Sequence, residues 1–396
     1  MKPKTGLTRF HNCFILRDSK IIEEDLWIRD GKIENPEQVF YVEQQHADVT
    51  VNCEGLLIAP GFIDIQINGG WGVDFSYDSD NVKEGLRKVS KKLLAHGVTS
   101  FCPTMVTSDV EKYRKILPLI KKNEGGTHGA TVLGVHLEGP FISKAKKGAH
   151  MEEYMKTPDE GIKTVEEVYG SLDDVVIVTL APELSGATEA IKELAAVGIK
   201  VALGHSTASL AQGEKAVECG ANLITHLFNA MLPFHHRDPG LVGLLASTTK
   251  KQVFYGIISD GIHTHPAALR IASRTNPEGL VLVSDAVAAQ GLADGSYRIG
   301  PQLVTVEGGR AYVTGTKVLC GSTTGLDQCV ATLKQSLECS LEYALEAASL
   351  HPAKALGIED RKGQLNFGCD ADFVILHPET IQIESTWIAG ECVYKM

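Results

Sequence analysis

No stretch of this 396-residue chain approaches ~18 uninterrupted apolar residues, so nothing in it reads as a bilayer-spanning helix. The N-terminus, MKPKTGLTRFHNCFILRDSK, lacks the apolar core of a signal peptide, and a cytoplasmic location is expected. Blocks of positive charge are missing as well. The 38 Lys and Arg against 49 Asp and Glu give a net charge of −11, with no basic cluster to track nucleic acid or an anionic membrane. Nine cysteines, an odd number, are scattered from Cys13 to Cys392 without a CxxC pair or a dense framework, which predicts reduced thiols. What is present, 43% hydrophobic and 22% charged residues, is ample core material for one large domain and a smaller one.

Residues 1 to about 58 show no helical period. They read as short strands and turns: FHNCFIL, the turn RDSK, then IIEEDLWIRDGKI with a tight turn at Asp30-Gly31. The last ~40 residues return to that style, in QLNFGCDADFVIL and TIQIESTWIAGECVYKM. Between them, β-branched apolar runs alternate with amphipathic helical patterns, as in repeated β-α units around a parallel sheet. The expected fold is α/β: a (β/α)8 TIM-type barrel over residues 59–355, with a small β-sandwich domain from residues 1–58 and 356–396. The eight strand candidates are 61–67, 97–103, 131–138, 175–182, 198–205, 221–226, 253–260 and 280–286. In one intervening helix, Ala187, Ile191, Leu194 and Ala195 share a face before Gly198 stops it. Residues 294–320 read as a β excursion after the eighth strand, followed by helices at about 325–338 and 341–350.

A buried parallel strand should be apolar throughout, yet four of these runs end in Glu138, His205, His226 and Asp285. Barrel chemistry sits at those strand ends. One such residue could simply cap a helix or bind a loop; four together are hard to explain that way. One carboxylate and two imidazoles form the ligand set of catalytic zinc, with a fourth position left open for water. A divalent metal there lowers the pKa of water from about 15.7 to about 7. Asp285 is then the proton carrier, its alternative being an N-cap before AVAAQ.

Three loops add chemistry. GPFISKAKKGAH (139–150) directly follows Glu138 and is long enough to cross the barrel mouth and bring His150 near a substrate carbonyl. NAMLPFHHRDPG (229–240) packs His235, His236 and Arg237 together, a cationic group suited to a phosphate or, alternatively, an exposed turn. SDGIHTHP (259–266) places Asp260, His263 and His265 past the seventh strand, for substrate or for a second metal. Against a second metal stands the first strand: where two-metal barrel hydrolases carry His-x-His, this chain has Gln66-Ile67-Asn68, and neutral amides are poor ligands. One metal ion is expected per subunit.

Taken together, APGFIDIQINGG (59–70), HLEGPF (136–141), KKGAH (146–150), LGHS (203–206), THLFNAM (225–231), HHRDPG, DGIH, VSDA (283–286), LHPAKALG (350–357) and GCDADFVIL (368–376) resemble the N-acetylglucosamine-6-phosphate deacetylases of the amidohydrolase superfamily. The resemblance spans most of the chain. It implies metal ligation by Glu138, His205 and His226, and proton transfer by Asp285. It implies substrate contacts from Ala149 and His150, from Asn229 and Ala230, and from Arg237. Further contacts are implied at Asp260, Gly261, Ile262 and His263, and at Leu319, Cys320 and Gly321. It also implies a homodimer in which Arg237 reaches the sugar phosphate in the neighbouring subunit. From the Glu/His/His ligand set itself, zinc is the expected metal, with cobalt, iron or manganese as alternatives.

Overall fold

A computed structural model describes residues 6–77, 80–299 and 301–396. At its centre are eight strands: β1 (Phe62–Ile67), β2 (Val98–Val106), β3 (Val135–Glu138), β4 (Val175–Leu180), β5 (Lys200–Leu203), β6 (Leu223–Ile224), β7 (Phe254–Ile257) and β8 (Leu280–Leu282). Every neighbouring pair from β1·β2 to β7·β8 is parallel and follows chain order. All six residues of β1 are buried, including Asp64 and Gln66, as expected of a strand enclosed on both faces. No ladder joins β8 to β1. Just beyond their ends, Asp285 N–H donates to Gln66 O at 2.9 Å and Asn68 N–H donates to Ala286 O at 2.7 Å, closing the barrel at its mouth.

Local signals set the helices that wrap this barrel. The helix Ala187–Ala196 buries Ala187, Ala190, Ile191 and Leu194, and Gly198 follows it at φ +85°. Ser209 and Gln212 form a reciprocal capping box at the start of Leu210–Cys219. The helix expected over 341–350 is divided into Leu341–Glu346 and Leu350–Leu356. The break has a cause: the carbonyls of Ala347 and Ala348 accept hydrogen bonds from Leu282 and Ile63, so they serve β8 and β1 rather than a continuing helix.

Both ends of the chain build the small β-sandwich. One sheet holds Thr8–His11, Leu26–Arg29, Lys32–Ile33 and Val49–Asn52. The other interleaves the N-terminal strands Phe14–Arg17, Lys20–Glu23 and Leu57–Pro60 with the C-terminal strands Phe373–Leu376, Ile383–Ile388 and Glu391–Lys395. Phe10, Ile15, Leu26, Ile28, Ile58 and Phe373 fill the space between them. The turns at Asp18-Ser19 and Asp30-Gly31 take positive φ values, which tight hairpins need. One feature departs from the all-strand expectation. Gln38–Glu43 winds into a single wide helical turn, because Val39 drops fully buried beside Leu7 and Trp27. That segment is too short to show a period in sequence.

After β8 the chain makes the expected excursion, a three-stranded antiparallel flap of Gly295–Ile299, Gln302–Glu307 and Arg310–Val313. Val304, Val306 and Ala311 of the flap pack on Val287 and Ala289, so its underside faces the barrel mouth.

Candidate active site and metal centre

Glu138 is the last residue of β3, while His205, His226 and Asp285 lie two to three residues past β5, β6 and β8. His205, His226 and Asp285 hold φ values of +48°, +25° and +45°, a region that costs a non-glycine residue on the order of 1–3 kcal/mol. Such turns let the side chains leave the strand direction and point into the mouth. Closed pairing around them holds the strain: Ser206 N–H donates to Ala230 O, and Ser322 N–H donates to Asp285 O. No helix begins after Asp285, so it is not an N-cap.

The three metal-ligand candidates meet. Glu138 Oε1 lies 2.9 Å from His205 Nε2 and 3.0 Å from His226 Nε2, and the two nitrogens are 3.1 Å apart. His205 Nδ1 faces Lys146 O at 2.8 Å and donates to it, so its Nε2 presents a lone pair to the cluster. His226 Nδ1 is buried and has no such partner among the described residues. Burial opposes charge on Glu138, but His205 and His226 outweigh it and hold the carboxyl well below its usual range. Burial also opposes charge on His226, yet contact with Glu138 carries its pKa up to about 9. Two imidazoles and a carboxylate, all buried within 3.1 Å, thus favour one positive charge among them, and the Glu/His/His set fits a divalent cation.

Asp285 stands beside this cluster. Its Oδ1 accepts hydrogen bonds from Asn68 Nδ2 at 2.8 Å and Gln66 Nε2 at 3.3 Å, and the same Gln66 amide lies 3.1 Å from Glu138 Oε2. The two carboxamides therefore donate to carboxylates where an imidazole pair would present lone pairs. Burial first, and then the charge of Glu138, raise the Asp285 pKa to about 6. The group stays largely ionised at neutral pH while being a stronger base than a free aspartate.

A cavity of about 260 Å³ opens over these residues. Glu138, His205, His226 and Asp285 line it, as do Ala149, His150, Asn229 and Ala230. His263, Leu319, Cys320 and Gly321 complete the expected lining. The remaining candidates lie elsewhere. Asp260 sits behind His263, taking its Nδ1 at 2.6 Å and the backbone N–H groups of Ile262 and His263 at 2.8 Å. Gly261 has open space where a side chain would be, and Ile262 faces a separate depression beside the flap. Arg237 is exposed and outside its own chain's cavity, next to His235 and His236, whose rings lie 4.5 Å apart. His265 is a helix cap, accepting from Ala267 N–H, and takes no part in the site.

Sequence reasoning missed Tyr77, Thr107, Gln302 and Val304. Tyr77, Gln302 and Val304 line the cavity, and Thr107 lies directly behind His150. Gln302 and Val304 arrive on the flap, whose alternating pattern says strand but not which face meets the barrel. Gln302 Nε2 also donates to Ala149 O at 2.8 Å, fastening the flap to the 139–150 loop.

Comparison with known proteins agrees with this geometry. The amidohydrolase family matches residues 57–393. The N-acetylglucosamine-6-phosphate deacetylase of Bos taurus is 55% identical, over 99% of this chain and 97% of its own. The structure of that enzyme from Pasteurella multocida superposes with a TM-score of 0.86 at 29% identity, covering 98% of this chain and 99% of the other. A mutant of the Mycobacterium smegmatis deacetylase, in complex with N-acetyl-D-glucosamine-6-phosphate, superposes with a TM-score of 0.83 at 30% identity, covering 98% and 99%. With a strand-end Glu/His/His cluster, an adjacent buried aspartate and relatives matched over nearly their whole length, this chain belongs to the amidohydrolase family, among the N-acetylglucosamine-6-phosphate deacetylases.

Proposed function

We infer that this chain hydrolyses the acetamido group of N-acetyl-D-glucosamine 6-phosphate, giving D-glucosamine 6-phosphate and acetate. The observation that carries the reading is the convergence of Glu138, His205 and His226 within 3.1 Å, with Asp285 beside them in one cavity. Glu138, His205 and His226 would hold one divalent cation, zinc in our reading. When bound, such an ion polarises the amide carbonyl and makes water acidic enough to attack at neutral pH. Asp285 takes the proton from the attacking water and returns it to the amine nitrogen as the C–N bond breaks. His150, at the cavity wall, donates to the oxygen that gains charge, and Gln66 and Asn68 hold the Asp285 carboxylate still.

His263, oriented by Asp260, would grip the sugar phosphate together with Arg237. Because Arg237 is exposed and lies off its own cavity, we assign it to the site of a second subunit in a homodimer. We place the domain boundaries near residue 58, within the sandwich strand Leu57–Pro60 that leads into β1, and near residue 356, the last residue of the helix Leu350–Leu356. Among the described residues no helix is long and apolar enough to cross a membrane, and we assign the protein to the cytoplasm. The test is acetate release from N-acetylglucosamine 6-phosphate, with and without a chelator, followed by restoration with zinc, cobalt, iron or manganese. Turnover that survives complete removal of metal would sink the mechanism.

A further inference from the structure

His150 has two possible duties in this site. Glu138, His150 and His205 each present a potential ligand atom within 4.8 Å of the others, so His150 has the reach of a fourth metal ligand. Ligation needs a lone pair directed into the cluster, whereas polarising a carbonyl needs an N–H. The choice lies with the other side of the ring. His150 Nδ1 is 2.8 Å from Thr107 Oγ1 and 3.4 Å from the Thr107 backbone N–H. A hydroxyl adapts to either role, but a backbone N–H only donates. The second contact is long, and its value lies in its sign: a proton on Nδ1 would face another N–H. Nδ1 must therefore carry the lone pair, which leaves the hydrogen on Nε2.

Thr107 is itself held. It is fully buried one residue past β2, and its carbonyl accepts from the Tyr77 hydroxyl at 3.0 Å. Its hydroxyl is packed so closely on Gly139 that a Cβ there would fall 2.3 Å from Oγ1. His150 is fixed from its own side by its N–H, which donates to Lys147 O at 2.9 Å.

We propose that Thr107 is a positioning residue: its hydroxyl and backbone N–H together hold His150 in the Nε2–H tautomer, the form that the donor role given above requires. The proposal deepens the deacetylase reading and rests on it for the identity of the carbonyl. It also gives Tyr77 a part, as the anchor of the Thr107 backbone.

The test uses the zinc-loaded protein labelled with ¹⁵N-histidine, its His150 signals assigned by comparison with His150→Gln. The expected spectrum shows a proton on Nε2 and none on Nδ1; a protonated Nδ1, or a zinc-bound Nε2, overturns the proposal. In parallel, Thr107→Val is expected to lower kcat roughly 10-fold with KM little changed, the signature of a misdirected donor. It should also shift the Nδ1 signal, because that nitrogen loses the hydroxyl at 2.8 Å and keeps only the long contact to the backbone N–H. Thr107→Ser, which keeps the hydroxyl, should restore most of both. A Thr107→Val protein with full metal content and wild-type kcat removes Thr107 from the role. Should Thr107→Val fail to fold, the wild-type spectrum and the Ser variant still decide. A wild-type protein that releases no acetate would instead overturn the deacetylase reading, while its nitrogen signals would still report the tautomer.

Discussion

Asp64 and Asp285 are both buried carboxyl groups at the β1–β8 seam, and their surroundings separate their tasks. Asp285 has amide donors and an opening to the cavity, whereas Asp64 accepts the backbone N–H groups of Gln66 and Ser284 on one oxygen, and its Oδ2 has no hydrogen-bond partner among the described residues. Burial raises the Asp64 pKa to about 7, from an ordinary value of 3.8. The folded chain thus keeps a proton that the unfolded chain releases. The resulting stability is fully present below about pH 3.8 and is lost progressively as pH rises towards about 7. The loss is on the order of a few kcal/mol across that window. Asp64→Asn, which cannot ionise, is expected to flatten that part of the slope in urea unfolding at pH 5 and pH 8; parallel slopes for the two proteins would refute it. Asp285→Asn should behave differently. We expect it to retain metal and fold while losing at least about 100-fold in kcat, as removal of a general base does. Near wild-type deacetylation by that variant would exclude Asp285 as the proton carrier.

Among the elements, the flap is the one whose contribution is most exposed to test. Among the described residues, one side-chain hydrogen bond, Gln302 Nε2 to Ala149 O, ties it to the loop that carries His150. Gln302→Ala is expected to raise KM about 5-fold, the equivalent of ~1 kcal/mol for one hydrogen bond, with a smaller effect on kcat. Steady-state kinetics showing an unchanged KM would mean that the flap holds its place through Val304 and Val306 alone. This contact also marks the limit of what the sequence discloses. Glu138, His205, His226 and Asp285 were legible because a charged residue at the end of an apolar run conflicts with its own burial. Gln66 and Asn68 were legible only as imidazoles that are missing; their donation to Asp285 and Glu138 needs the barrel to be closed. Thr107 and Gln302 follow strand patterns like any other, so nothing local distinguishes them. The break at Ala347–Ser349 was hidden for a related reason, since helix propensity there yields to carbonyls claimed by β1 and β8.

For the whole molecule, the position of Arg237 is the feature with the largest consequence. In the two-fold dimer proposed above, each Arg237 would serve the other subunit's site, and symmetry makes the two exchanges equivalent. Arg237→Ala and Asp285→Asn proteins should then each be weak alone and recover activity when mixed. In the mixed dimer, the subunit that keeps Asp285 receives an intact arginine from its partner. With random 1:1 reassociation, half the dimers are mixed and each has one intact site of two, so about a quarter of wild-type turnover should return. No recovery after verified subunit exchange would place Arg237 in its own site or outside catalysis.

The seam between β1 and β8 has a kinetic meaning as well. Gln66 and Asp285, 219 residues apart in sequence, are joined there through both backbone and side chain. Contacts of such separation must overcome the entropy of closing a very long loop, so they form late when a chain winds up strand by strand. A barrel with seven strands in register would hold Glu138, His205 and His226 near one another and still lack Asp285. Regain of deacetylation during refolding would therefore time the final stitch of the barrel, and not the earlier approach of Glu138, His205 and His226.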